Sequence, residues 1–257
     1  MQRAMTSTVI ALALLGVLFG LTRALFVGTL ATHVEPVRTA AINSLGIRDQ
    51  HPAERARDIR TVEARYAERP VIMWLHVIPG SLFLLLAPLQ FVPRLRTRHV
   101  RLHRGMGWLL ACAATVTVAA GLYFGVIIPV AGFGEASIIA LAGTLMLFSL
   151  AKAIAAIRRD DRRRHREWMI RAFAAGIAVS TIRIVAILAD LSMTPAGFTL
   201  RAMFVVSLWA GWTTTFIVAE WWIVRTRTGT PTGCACSCLE SIDSATGSRR
   251  GWSARSS

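Results

Sequence analysis

The sequence predicts an all-α integral membrane protein with six transmembrane helices in a bundle, in which spans two to five form the core. The first observation is that hydrophobic residues, 54% of the 257-residue chain, are gathered into blocks of about twenty or more. A helix of that length crosses about 30 Å of hydrocarbon. The second observation concerns the backbone, because a segment in lipid must satisfy its own hydrogen bonds and therefore favours helices over isolated strands.

The six predicted spans make residues 1–225 one membrane domain. Their bounds are Thr6–Leu30, Val71–Val92, Gly105–Val130, Ala136–Ile157, Trp168–Asp190 and Ala202–Val224. The first span begins with a short basic segment, as a signal peptide does. It is longer than a signal peptide core and no small-residue cleavage site follows it, so we interpret it as a membrane span.

The distribution of arginines predicts the orientation of the bundle in the membrane, because loops rich in Lys and Arg stay in the cytoplasm. Five arginines and no acid occupy Arg94–Arg104, and six arginines and three acids occupy Arg158–Glu167. We therefore expect both loops and both termini in the cytoplasm, and the protein in the cytoplasmic (inner) membrane. Anionic lipid headgroups are the expected partners of these loops. Because helix ends explain the net charge of +15, we expect no nucleic acid partner.

Two segments lie outside the predicted spans. The loop of residues 31–70 falls on the extracytoplasmic side, and its stretch "HPAERARDIRTVEARYAERP" predicts a surface helix, because opposite charges recur three or four residues apart. Residues 226–257 are rich in Gly, Ser, Thr and Arg and predict a disordered cytoplasmic tail. Cys234, Cys236 and Cys238 lie in this tail with no nearby histidine, so they do not make a four-ligand zinc site.

Three histidines lie at or inside the predicted membrane boundaries. His76 is about six residues into span two from the outer side, whereas His103 and His165 are at the inner ends of spans three and five. The last two therefore share one membrane depth. Each histidine has small residues on its own helical face: Gly80 and Ala87 for His76, Ala114 and Gly121 for His103, and Ala172 and Gly176 for His165.

This arrangement is typical of a haem site between helices. Two neutral imidazoles from facing helices ligate haem iron from opposite sides, and small residues leave room for a flat group. The candidate ligands of haem b are His103 and His165, with His76 as a third and His33 as its mate. Arg104 and Arg171 are the candidate partners of the propionates. The alternative is structural, because interface histidines also cap helices or contact lipid phosphates.

Polar residues within the spans support other hypotheses. An arginine deep in a span, such as Arg183, is a functional candidate by default. We expect Arg183 to pair with Asp190 or Glu220. Together with Gln90, Glu220 and His76, Arg183 would line a polar path in a small-molecule or lipid transporter or binding protein. A third hypothesis is a membrane scaffold or assembly factor that uses the outer loop.

The segments that carry these residues resemble a known family. The runs "HVIPGSLFLLLAPLQF", "RHVRLHRGMGW", "RRHREWMIRAFA" and "TIRI" are similar to bacterial membrane proteins grouped as domain of unknown function 2306. The polar marks of that pattern fall on His76, Gln90, His103, Arg104, Gly107, His165, Trp168, Met169, Arg171 and Arg183. The family brings no established activity. The layout is more distantly similar to ascorbate-reducible diheme cytochrome b reductases, which implies four core helices and His103 with His165 as a ligand pair.

Overall fold

The computed structural model describes residues 2–25 and 30–227, and these residues form helices and no strand. The predicted all-α fold is thereby confirmed. The α-helices are α1 Gln2–Leu25, α2 Leu30–Ser44, α3 Pro52–Ala67, α4 Pro70–Leu86, α5 Pro93–Arg98, α6 Val100–Leu122, α7 Phe133–Arg158, α8 Arg162–Met193 and α9 Leu200–Arg227. A 3-10 helix, Ala87–Phe91, extends α4, and a π-helix, Tyr123–Ile127, extends α6.

Six helices are long and apolar enough to cross a membrane, as predicted. The helical segments that meet this criterion are Met5–Thr22, Pro70–Phe91, Val100–Ile127, Phe133–Arg158, Arg162–Met193 and Leu200–Arg227. Helix α1 is described as far as Leu25 and the more polar α2 from Leu30, so the predicted end of span one falls across residues 26–29, which lie outside the described residues. Helix α8 begins earlier than predicted. The Asp161 side chain accepts a 2.9 Å hydrogen bond from the amide of Arg164 and starts the helix inside the basic loop.

Helices α4, α6, α7 and α8 surround the main hydrophobic core, and α1 packs against two of them. The α1 interface depends on small residues. A Cβ at Gly16 would lie 2.6 Å from Ser180 Oγ and 2.7 Å from Leu84 Cδ1. The Ser180 hydroxyl also donates a 2.6 Å hydrogen bond to the carbonyl of Leu12. The core is therefore formed by the predicted spans two to five, with the first span held closely on its side.

The segment between the first two spans forms two helices, where the sequence predicted one. Helix α3 corresponds to the predicted surface helix, and α2 precedes it. The break between them follows from Gly46, which has φ +72°, a backbone conformation that side-chain-bearing residues rarely adopt. We call α2 and α3 the cap, their end of the bundle the cap face, and the opposite end, with loops 94–104 and 158–167, the basic face.

The chain divides into two units, residues 1–220 and residues 221–257. The first contains the cap and the bundle up to the last turns of α9. Of the second, the structure describes residues 221–227, which are helical. In that short segment the Arg225 guanidinium lies 4.9 Å from the ring of Trp221. The three tail cysteines lie outside the described residues.

Candidate functional site

His103 and His165 come together at the basic face, as their common predicted depth indicates. His103 is in the first turn of α6 and His165 in the first turn of α8. The two rings are close enough to act on each other electrostatically. His165 Nδ1 lies 2.9 Å from the carbonyl of Ala153 in α7. That contact holds the ring and leaves Nε2 as the nitrogen with a lone pair when Nδ1 carries the proton.

His103 has a ring nitrogen without a partner. Its Nδ1 is buried and makes no hydrogen bond to any described residue. A buried polar atom left in this state costs about 1–3 kcal/mol, so such atoms normally have a partner. The backbone of the same residue is engaged, because Gln90 Nε2 donates a 3.4 Å hydrogen bond to the His103 carbonyl. The donor atoms for a ligand are thus His103 Nδ1 and His165 Nε2.

An apolar cavity of about 20 Å³ lies farther along the same two helices. It has room for one water, but Gln90 is the single residue in its wall with a polar side chain, so a water would lack partners. Its walls come from four core helices and the adjoining 3-10 helix: Phe83, Ala87, Gln90, Phe91, Leu110, Ala111, Ala114, Met146, Leu150, Met169, Ala172 and Phe173. Neither His103 nor His165 lines this cavity, whose walls are apolar apart from Gln90.

The cavity also tests the expected room for a haem. Binding sites for cofactor-sized groups measure about 300–1,000 Å³, far more than this cavity. The small residues of the predicted stripe are covered by aromatic rings. A Cβ at Gly176 would lie 2.7 Å from Phe83 Cε1, and the rings of Phe91 and Phe173 are 5.5 Å apart. Imidazole nitrogens are common haem ligands, but the present volume does not hold the macrocycle unless these rings move.

The arginines near the histidine pair differ from those expected. Arg104 acts electrostatically on His103, and so does Arg96 of α5, which the sequence analysis did not single out. Its position in the basic loop was the only sequence signal. Arg171, the second expected propionate partner, binds Glu220 instead, through contacts of 2.5 and 2.8 Å. The Arg171 guanidinium also lies 4.6 Å from the ring of Trp168.

His76 lies away from the His103 and His165 pair. Its Nδ1 lies 2.9 Å from the carbonyl of Thr117, which is fourteen residues, or about 21 Å, along α6 from His103. A Cβ at Gly121 would lie 3.0 Å from the His76 ring, so this glycine makes room for it. Arg183 acts on His76 electrostatically. The side chain of His33, the expected mate of His76, lies outside the described residues.

Asp190 anchors the cap. Its carboxylate accepts hydrogen bonds of 2.6 and 2.7 Å from Arg38 in α2 and of 3.0 Å from Arg55 in α3. Asp49, between the two helices, lies 2.7 Å from Arg55 Nε. Burial disfavours the charged Arg38, but the hydrogen bond and charge of Asp190 outweigh burial and raise the pKa of Arg38 above its ordinary value. Neither arginine is predictable from local sequence, because they are 152 and 135 residues from Asp190.

The expected partners of Arg183 pair with other arginines. Asp190 binds Arg38 and Arg55, and Glu220 binds Arg171. Arg183 itself lies with its guanidinium 5.8 Å from the ring of Phe19 in α1. The four intramembrane polar residues therefore lie in different parts of the bundle. Gln90 is beside His103 at the basic face, whereas Asp190 holds the cap at the opposite face.

Comparison with known proteins supports the predicted family. Neither the curated proteins nor the solved structures contain a match to this chain. The similarity to diheme cytochrome b reductases therefore stays a prediction. A family model described as predicted membrane protein (DUF2306) matches residues 73–223, more than half of the chain. The matched region contains the histidine pair, the cavity and His76. The chain is a multi-pass membrane protein that belongs to the DUF2306 family of predicted membrane proteins.

Proposed function

We propose that the protein binds one b-type haem between α6 and α8 at the basic face and takes part in electron transfer in the cytoplasmic membrane. His103 and His165 are the residues that would hold it. The observation that carries the proposal is their pairing: one ring is held through Nδ1 by a backbone carbonyl, and the other has a buried Nδ1 without a partner. When bound, the haem supplies a one-electron redox centre.

The chain's own residues have distinct tasks in this proposal. Ala153 accepts a hydrogen bond from His165 Nδ1 and thereby fixes the tautomer that leaves Nε2 as the ligand. Arg96 and Arg104 place positive charge beside His103, where it would balance propionates. Phe91 and Phe173 must swing out of the cavity to provide the room.

Haem stoichiometry tests the proposal. The protein is purified in detergent from cells grown with a haem precursor, and its haem is measured as the pyridine complex. We expect about one haem per chain, lost in His103→Ala and in His165→Ala. The matched control is His99→Ala, because His99 is exposed at the start of the same helix. Well-folded wild-type protein without haem, or equal haem contents in all variants, would overturn the proposal.

Two alternatives rest on other parts of the molecule. A transporter or lipid-binding protein would use Arg183 and His76, which lie near each other within the bundle. A scaffold or assembly factor would use the cap. The transport hypothesis has less support, because Gln90, Glu220 and Asp190 are engaged at two opposite faces. Haem-free protein that loses a bound lipid or solute in Arg183→Leu would favour it over the haem proposal.

A further inference from the structure

The two arginine-rich segments of the basic face differ in their pairing. In the segment of residues 158–167, half of the six arginines have acidic partners: Arg162 with Asp160, Arg163 with Glu167 and Arg164 with Asp161. The segment of residues 94–104 contains no acid. Its five arginines are all exposed, and none forms an ion pair with any described acidic side chain. The segment of residues 94–104 therefore has a positive charge that the described acidic side chains do not neutralise.

The geometry of α6 joins this charge to an apolar surface. Arg101, Arg104 and Trp108 are three and four residues apart, so they share one face of the helix. Trp108 is 56% exposed, and the neighbouring Leu109 is 48% exposed. Trp108 lies about 6 Å farther along the helix than Arg104, toward the middle of the span. Along α6 the arginines therefore come first, followed by the aromatic ring of Trp108 and the aliphatic side chain of Leu109. A bilayer presents its phosphates, its interface and its acyl chains in the same order.

The short helix α5 adds to the same surface. Leu95 is half-buried, whereas Arg94 and Arg98 are exposed. Leu95 is thus the one side chain of α5 that is not exposed, whereas the arginines of this helix are. The first turn of α6 contains no acidic residue and no side-chain cap, so the positive end of the helix dipole adds to the field of the arginines.

We propose that the segment Pro93–Leu109 is a binding site for an anionic phospholipid, whose phosphate contacts Arg98 and Arg101 and whose acyl chain contacts Trp108 and Leu109. Charge complementarity favours an anion. The exposed apolar side chains beside the arginines favour a lipid over a free phosphate ion or an acidic soluble protein. The inference does not depend on haem binding, because the four residues that would contact the lipid are neither the candidate ligands nor the arginines expected beside the propionates.

Quenching of tryptophan fluorescence tests the site. The protein is reconstituted in phosphatidylcholine vesicles with increasing amounts of brominated phosphatidylglycerol, or of brominated phosphatidylcholine as the neutral reference. We expect brominated phosphatidylglycerol to quench more at equal mole fraction, and Trp108→Phe to remove most of the excess. In Arg98→Gln/Arg101→Gln the preference for phosphatidylglycerol should fall by about twenty-fivefold, since each of the two arginines near the surface contributes roughly fivefold.

The matched control is Arg162→Gln/Arg164→Gln, which removes the same charge from the same face but from arginines that already have acidic partners. This variant should keep most of the preference. Equal quenching by the two brominated lipids in wild-type protein would overturn the proposal. So would an equal loss of preference in the two double variants, or relief of the quenching by millimolar inorganic phosphate, which would assign the arginines to the free ion.

Discussion

Removal of the Asp190 carboxylate should release the cap from the bundle. In Asp190→Ala, Arg38 and Arg55 lose three hydrogen bonds of 2.6 to 3.0 Å, while their side chains are only 16% and 7% exposed. Breaking a buried ion pair costs about 3–5 kcal/mol. Asp49 still pairs with Arg55, so we expect the lower part of that range or slightly less, about 2–3 kcal/mol. This corresponds to a factor of about 30–150 in the opening equilibrium of the cap.

Limited trypsin digestion in detergent measures that opening. Arg55 is buried, so cleavage after it requires the cap to detach, and the cleavage rate follows the open population when closing is fast. The control is Glu68→Ala, which removes a surface ion pair with Arg69 in the same segment and should change the rate by less than about fivefold. If trypsin cleaved Asp190→Ala after Arg55 at the wild-type rate, Asp190 would not be what holds the cap on the bundle.

Two further predictions concern helix packing. Gly16→Val should lower the thermal stability of the detergent-solubilised protein clearly, because the added atoms would meet Ser180 and Leu84, whereas Gly105→Ala should be nearly neutral, because nothing lies within 4 Å of a Cβ there. Equal melting temperatures of these two variants would contradict the packing described for α1. His76→Phe should cost about 1 kcal/mol through loss of its hydrogen bond to α6, seen as a lower melting temperature, and an unchanged value would argue against that bond.

The spans were predictable because membrane thickness imposes one long apolar block on each helix. The cap was predictable only in part. Charges three or four residues apart reveal α3, but Gly46 separates it from a second helix that has a single such pair, Glu35 with Arg38, and a proline between them. Nothing local indicates that Arg38 and Arg55 meet Asp190, because that contact depends on how the chain returns after four membrane crossings.

The histidine pair was predictable from depth, whereas its surroundings were not. Helical periodicity identifies which residues share a helix face with His165, and it correctly places the small residue Gly176 on that face. Periodicity carries no information about the neighbouring helices that fill the space. Phe83 of α4 covers Gly176, and Phe91, from the 3-10 helix after α4, packs on Phe173. Room for a ligand is therefore a property of the packed bundle and not of any one helix.

Binding of a redox cofactor by His103 and His165, as we propose, is tested most directly by the dithionite-reduced minus oxidised absorption spectrum of the purified wild-type protein, recorded beside His103→Ala and His165→Ala. We expect a b-type difference spectrum that disappears in both variants. A featureless difference spectrum from folded, haem-supplemented wild-type protein would contradict it and assign the pair to structural or lipid contacts.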